Sequence, residues 1–298
     1  MNISLRKITQ HWIVKIVLGI TVCILGILVI KKAISQPILG VILDSQELKD
    51  GIQNLISGFV IIVIYYVFYK LLEKRKIHEL SLNKIEKDLS IGISTGFGLI
   101  SLCIGILYLL GYFEVYNFNE FSGILLPLTL LLSAALFEEV IFRGIIYRIL
   151  EERFGTNIAL SQAFFFGVLH YGNANATITS VWFVIMLGIV LSLLYTYTQR
   201  LWLPFFFHFS WNFAQIVYGT PLSGNTNFDA LLSSKFNGPS LFIGSEFGIE
   251  DSFFSILFMT LLAFYLYWMC KKKGKLKPLV SYLYKKAQPT DFFRDHHL

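Results

Sequence analysis

Apolar residues in this chain fall in long unbroken blocks separated by short polar stretches, with no dominant amphipathic stripe. A hydrocarbon core of about 30 Å takes about 20 helical residues to cross. Eight blocks meet or approach that length: 12–30, 52–72, 89–113, 121–150, 157–171, 178–198, 201–218 and 253–270. The fifth has only 15 residues and is expected inside the bundle, where protein rather than lipid covers its ends. The short alternating segments of a barrel are absent. The pattern therefore predicts an all-α fold, a polytopic transmembrane helical bundle of about eight spans.

Composition sharpens this picture. Of 298 residues, 55% are hydrophobic and 15% charged, with a mean hydropathy of +0.63. Soluble domains carry about a quarter charged residues, so an ordinary soluble domain is excluded. Basic residues stay on the cytoplasmic side of membrane proteins. With an inner N-terminus, 19 Lys and Arg fall in inner segments, starting with Arg6 and Lys7, against four (Lys31, Lys32, Lys49 and Lys235) in outer ones. Both termini are therefore expected in the cytoplasm. The run Lys271, Lys272, Lys273, Lys275, Lys277 directly follows a span and fits anionic lipid better than nucleic acid. The first block lacks a small-residue cleavage site and ends in Lys31-Lys32, which fits a retained helix better than a signal peptide. Cys23, Cys103 and Cys270 have neither disulfide nor metal-ligand spacing. The Lys-, Ile-, Asn- and Phe-rich composition points to a bacterial plasma membrane.

Ionisable groups at bilayer depth are costly, and so are functional candidates. They concentrate in the second half: Glu138, Glu139 and Arg143 in the fourth block, His170 at the end of the fifth, His208 and Asn212 in the seventh. Glu139 and Arg143, four apart, share a helix face and can pair. Glu138 points about 100° away from them and is the freer carboxylate. Phe166 lies one turn before His170 and can fix its ring by packing, and His208 and Asn212 stack an imidazole beside an amide. At ~1.5 Å per residue from the inner span ends, Glu138 lies ~18 Å up, His170 ~20 Å, His208 ~10 Å and Asn212 ~16 Å. These levels overlap within about two helical turns. The chain divides into a three-span region of unassigned role (1–120), a core with these motifs (121–218), and an outer loop, last span and basic cytoplasmic tail (219–298).

The ordered motifs Glu-Glu-x-x-x-Arg, Phe-x-x-x-His and His-x-x-x-Asn, each on its own hydrophobic block, resemble the CAAX protease and bacteriocin-processing (CPBP, Abi) family of intramembrane proteases. The resemblance implies that Glu138 activates water, His170 holds or polarises it, His208 and Asn212 stabilise the oxyanion, and Glu139 and Arg143 support the site. A glutamate buried among aromatics would have a raised pKa and be a better base near neutrality. The implied activity is endopeptidase cleavage of a membrane-associated or prenylated CAAX-type protein or peptide, near the cytoplasmic side. No cofactor is favoured. Zinc on Glu138, His170 and His208 is the alternative, since three ligands and an open position make a catalytic zinc site, but no compact His-Glu-x-x-His motif accompanies them. Membrane lipid and a peptide or protein substrate are the expected partners. A non-enzymatic bacteriocin-immunity or scaffold protein is the competing function. A transporter fits less well, because the intramembrane charge lies in one half of the chain.

Overall fold

The computed structural model describes residues 10–279; the expectations resting on Arg6, Lys7 and the tail beyond 279 lie outside the described residues. The chain runs through α1 (Trp12–Ile42), α2 (Gln46–Glu73), α3 (Ile85–Leu109), β1 (Phe113–Phe118), α4 (Phe121–Phe154), α5 (Gln162–Leu169), α6 (Ile178–Thr198), α7 (Trp202–Tyr218), β2 (Leu232–Phe236) and α8 (Phe253–Lys272). Six of these helices (α1, α2, α3, α4, α6 and α8) are long and apolar enough to cross a membrane, two fewer than the eight expected.

The two shortfalls have different causes. Block 157–171 breaks into a single turn, Thr156–Ala159, and α5, because Ser161 Oγ bonds back to the Ile158 carbonyl (2.7 Å) and competes with the helical ladder. At eight residues, α5 is only ~12 Å long. Contrary to expectation it is not interior: Phe164, Phe165 and Leu169 are exposed, while Ala163, Phe166 and Gly167 turn inward. Helix α7 is continuous but has 17 residues, about 25 Å, and stops at Gly219 with φ +70°.

Two further departures are local. Lys31 and Lys32 lie within α1, not in a loop, because the helix widens to π geometry over Ile30–Ser35 and Ser35 Oγ reaches the Gln53 side chain of α2 (2.7 Å). The fold is also not purely α. The aromatic and β-branched run of β1 pairs antiparallel with β2, Phe113 opposite Phe236 and Glu114 opposite Lys235.

Close approaches of backbone set the site. On α3, a Cβ at Gly92 would lie 2.6 Å from Phe206 Cβ, and one at Gly96 would lie 2.2 Å from Ser210 Oγ, so α7 rests directly on α3. On α5, a Cβ at Gly167 would lie 2.4 Å from Ile185 Cγ1 of α6. Small residues at such crossings let membrane helices meet without a hydrophobic driving force. Helix α7 separates two apolar clusters: Phe205 and Phe209 pack with α1, α2 and α4, and Phe207 and Trp211 with α3, α6 and α8.

The bundle has two chemically distinct ends. At the first, Trp12 meets Phe154 edge-on, Leu201 N–H donates to the Glu79 carbonyl (2.9 Å), and Lys277 N–H donates to Thr156 Oγ1 (2.9 Å). Here Glu73 pairs with Lys15 (3.2 Å), Arg75 (2.6 Å) and Arg148 (3.1 Å), while Glu79 binds Arg75 and accepts from Tyr65. Tyr65 Oη also contacts the Gly144 carbonyl of α4 (2.9 Å). Burial alone would raise the Glu79 carboxyl, but the hydrogen bonds of Arg75, the charge of Arg148 and the Tyr65 hydroxyl outweigh it and hold the group below the usual carboxylate range. The opposite end carries the two-stranded sheet and loop 219–252, with Asn173 Nδ2 donating to the Ser223 carbonyl (3.2 Å).

Candidate active site

Near its middle α4 changes from α to π geometry, at Val140–Tyr147, immediately after the two glutamates. π-turns inside α-helices frequently accompany functional sites because they shift the phase of the side chains that follow. Glu139 and Arg143 are wholly buried and joined at 3.0 Å. The same Glu139 oxygen, Oε1, accepts from His208 Nδ1–H of α7 (2.9 Å). Arg143 Nη2 donates to the Gly188 carbonyl of α6 (3.2 Å), and its guanidinium lies 4.6 Å from the centre of the Phe166 ring. A buried ion pair recovers its desolvation cost only when its remaining groups find partners. The His208 imidazole, the Gly188 carbonyl and the Phe166 face supply some of them from three other helices, while among the described residues Glu139 Oε2 and Arg143 Nε find no hydrogen-bond partner.

Glu138 differs from its neighbour. Its side chain is 30% exposed, so it is not enclosed among aromatics as expected, and its Oε2 lies 3.9 Å from His208 Nε2. His170 follows α5, and its Nδ1–H donates to the Phe166 carbonyl one turn back (2.7 Å). That bond leaves Nε2 with its lone pair in the neutral ring. The Phe166 ring packs edge-on against His170 at 4.7 Å and faces His208 at 6.4 Å, holding both imidazoles. Glu138, His170, His208 and Asn212 all line one cavity of about 620 Å³, with Leu131, Ala134 and Phe166 as part of its apolar wall. The structure thus brings together the candidate carboxylate, both imidazoles and the amide, and puts Glu139 and Arg143 behind them, out of reach of the cavity.

Sequence reasoning missed two features. His208 was grouped with Asn212, but its hydrogen bond goes to Glu139 on another helix, a contact that helical spacing cannot reveal. Glu250, in the loop before α8, is 1% exposed and lines the cavity. Its Oε1 accepts from Trp211 Nε1 and Gln215 Nε2 (both 3.2 Å), which flank Asn212 on α7, and its Oε2 from Ser223 Oγ (2.6 Å). Glu250 is one of four acidic residues in loop 219–252, and its sequence surroundings do not single it out for that role.

Zinc would need Glu138, His170 and His208 to converge on one point. Among the described residues no group of three or more His, Cys, Asp or Glu is placed to hold a metal ion. Nδ1 of each candidate histidine is engaged, one by a carbonyl and one by a carboxylate, which leaves Nε2 as the nitrogen each ring turns to other partners.

A membrane-crossing helical bundle with a polar, carboxylate- and imidazole-lined cavity at mid-depth is the class that these observations define. Residues 120–214 match the family model described as Rce1-like, type II CAAX prenyl endopeptidase, so the resemblance to the CPBP and CAAX protease family holds over the segment that carries the three motifs. The match covers about a third of the chain. No curated protein and no solved structure matches it.

Proposed function

We propose that this chain is an intramembrane endopeptidase of glutamate type, hydrolysing a peptide bond of a membrane-associated or prenylated protein or peptide in a bacterial plasma membrane. The observation that carries the proposal is the convergence of Glu138, His170, His208 and Asn212, from three separate segments, on one cavity. In this mechanism Glu138 removes a proton from a water that His170 Nε2 orients, and the water oxygen attacks the scissile carbonyl carbon. The negative charge that develops on the carbonyl oxygen is met by the Asn212 amide and by Nε2–H of His208, whose ring in this mechanism carries a proton on both nitrogens between Glu138 and Glu139; such donors are typically worth about 3 kcal/mol each in the transition state. Glu138 then passes its proton to the departing amine as the C–N bond breaks. Glu139 fixes the His208 ring through Nδ1, and Arg143 balances the Glu139 charge.

Replacing Glu138 by Gln keeps the shape and removes the base. Cleavage is expected to fall by about 10²- to 10⁴-fold while the protein still accumulates and inserts normally. Since the substrate is open, the assay compares membrane-associated peptides in cells carrying the wild type and Glu138→Gln at matched levels. Protection of cells from a toxic peptide that survived the substitution would instead favour the immunity-protein reading.

A further inference from the structure

The end of the bundle at which the cavity opens bears directly on its substrate. From mid-depth on α4 the cavity extends to Asn173, Asn175, Asn225, Thr226 and Asn227, all exposed and all at the end that carries loop 219–252. The described basic residues gather at the opposite end: Lys70, Lys74, Arg75, Lys76, Lys84 and Lys87 around the α2–α3 connection, then Arg148, Arg153, Arg200 and the lysines from Lys271 to Lys277. Near the cavity end only Lys31, Lys32, Lys49 and Lys235 are basic, and Asp44, Glu47, Asp50, Glu114, Glu120, Asp229 and Glu246 accompany them. Lys and Arg near span ends are retained in the cytoplasm. An asymmetry this large puts the cavity mouth on the other face.

The lining agrees with a polypeptide arriving there. Side-chain amides at the mouth can pair with the carbonyl and N–H groups of an extended chain. No Lys or Arg is among the described residues that line the cavity, whose charged groups are Glu138 and Glu250 with the two histidines. A free terminal carboxylate entering it would find no lysine or arginine to pair with.

We infer that the cavity admits polypeptide from the non-cytoplasmic face of the membrane, so that the substrate is a segment exposed at the outer surface and not the cytoplasmic carboxyl terminus of a prenylated protein. This rests on the protease reading for the word substrate, but the sidedness itself can be tested without any activity. Single cysteines are placed at Thr226 in the mouth, at Ala134 one turn before Glu138 inside the cavity, and at Lys273 at the basic end. The three native cysteines are buried, which keeps the background low. A membrane-impermeant maleimide is applied to intact cells and to inverted membrane vesicles. Thr226→Cys and Ala134→Cys are expected to label in intact cells, and Lys273→Cys only in inverted vesicles. Labelling of Thr226→Cys or Ala134→Cys only in inverted vesicles, or of Ala134→Cys from neither side, overturns the inference; Asn227→Cys replaces Thr226→Cys if that variant does not accumulate. Outer labelling combined with unaltered peptides in Glu138→Gln would leave the sidedness standing and remove hydrolysis. Inner labelling with cleavage lost would do the reverse.

Discussion

Glu138 and Glu139 are chain neighbours in opposite surroundings, and the proposed division of tasks follows from what lies around each carboxylate. Glu139 is wholly enclosed, with Arg143 and His208 both on its Oε1, and does not reach the cavity, whereas Glu138 borders it. That division was legible from the 100° step between adjacent helical residues. The placement of His208 on Glu139 was not, because it joins residues 69 positions apart. Removing one member of a buried pair leaves the other charge uncompensated, at a cost of about 3–5 kcal/mol. Arg143→Leu is therefore expected to lower the detergent-solubilised protein's thermal midpoint strongly, and the double variant Arg143→Leu/Glu139→Gln to recover part of the loss. Equal melting of the single and double variants would show that the pair is not coupled.

Helix crossings carry the candidate catalytic groups to one cavity, and glycines decide how close those crossings are. Gly96 lets the α7 backbone come within side-chain contact of α3, and His208 and Asn212 are carried on that helix. Gly96→Leu is expected to displace α7, lower the thermal midpoint and abolish cleavage, while Gly98→Leu, with nothing within 4 Å of its Cβ, leaves both unchanged. A hydropathy reading finds these helices but not their contacts, since Gly92 and Gly96 count only as weakly apolar residues within a span. It also cannot see that a serine at 161 ends one helical turn and starts another, which is why α5 was expected as a longer, interior helix. The connection between α2 and α3 has its own pH signature. Because the folded Glu79 carboxyl is held below its unfolded value, its contribution is fully present above the ordinary carboxylate range and lost as pH falls through the lowered folded value. Thermal melting of the purified protein is expected to drop as the solution is acidified below about pH 4, and less steeply in Glu79→Gln. An identical acid limb in both would assign the loss to other groups.

At the scale of the whole molecule, the apolar blocks and the excess of basic residues at alternate connections made a membrane bundle legible before any coordinates. What they could not supply was which end the polar cavity meets. The expectation of cleavage near the cytoplasmic side came from resemblance, whereas the lining of the cavity leads to the end with few basic residues. The first three helices also acquire a place. Helix α2 supports the π segment of α4 through Tyr65, and α3 seats α7, so the N-terminal region holds the two helices that carry Glu138 and His208. The most direct measurement of the central claim is quantitative mass spectrometry of membrane and surface peptides from cells expressing either the wild type or Glu138→Gln at equal abundance. Fragments with new termini in the wild type alone are the predicted result; the same fragments at the same abundance in both would contradict it.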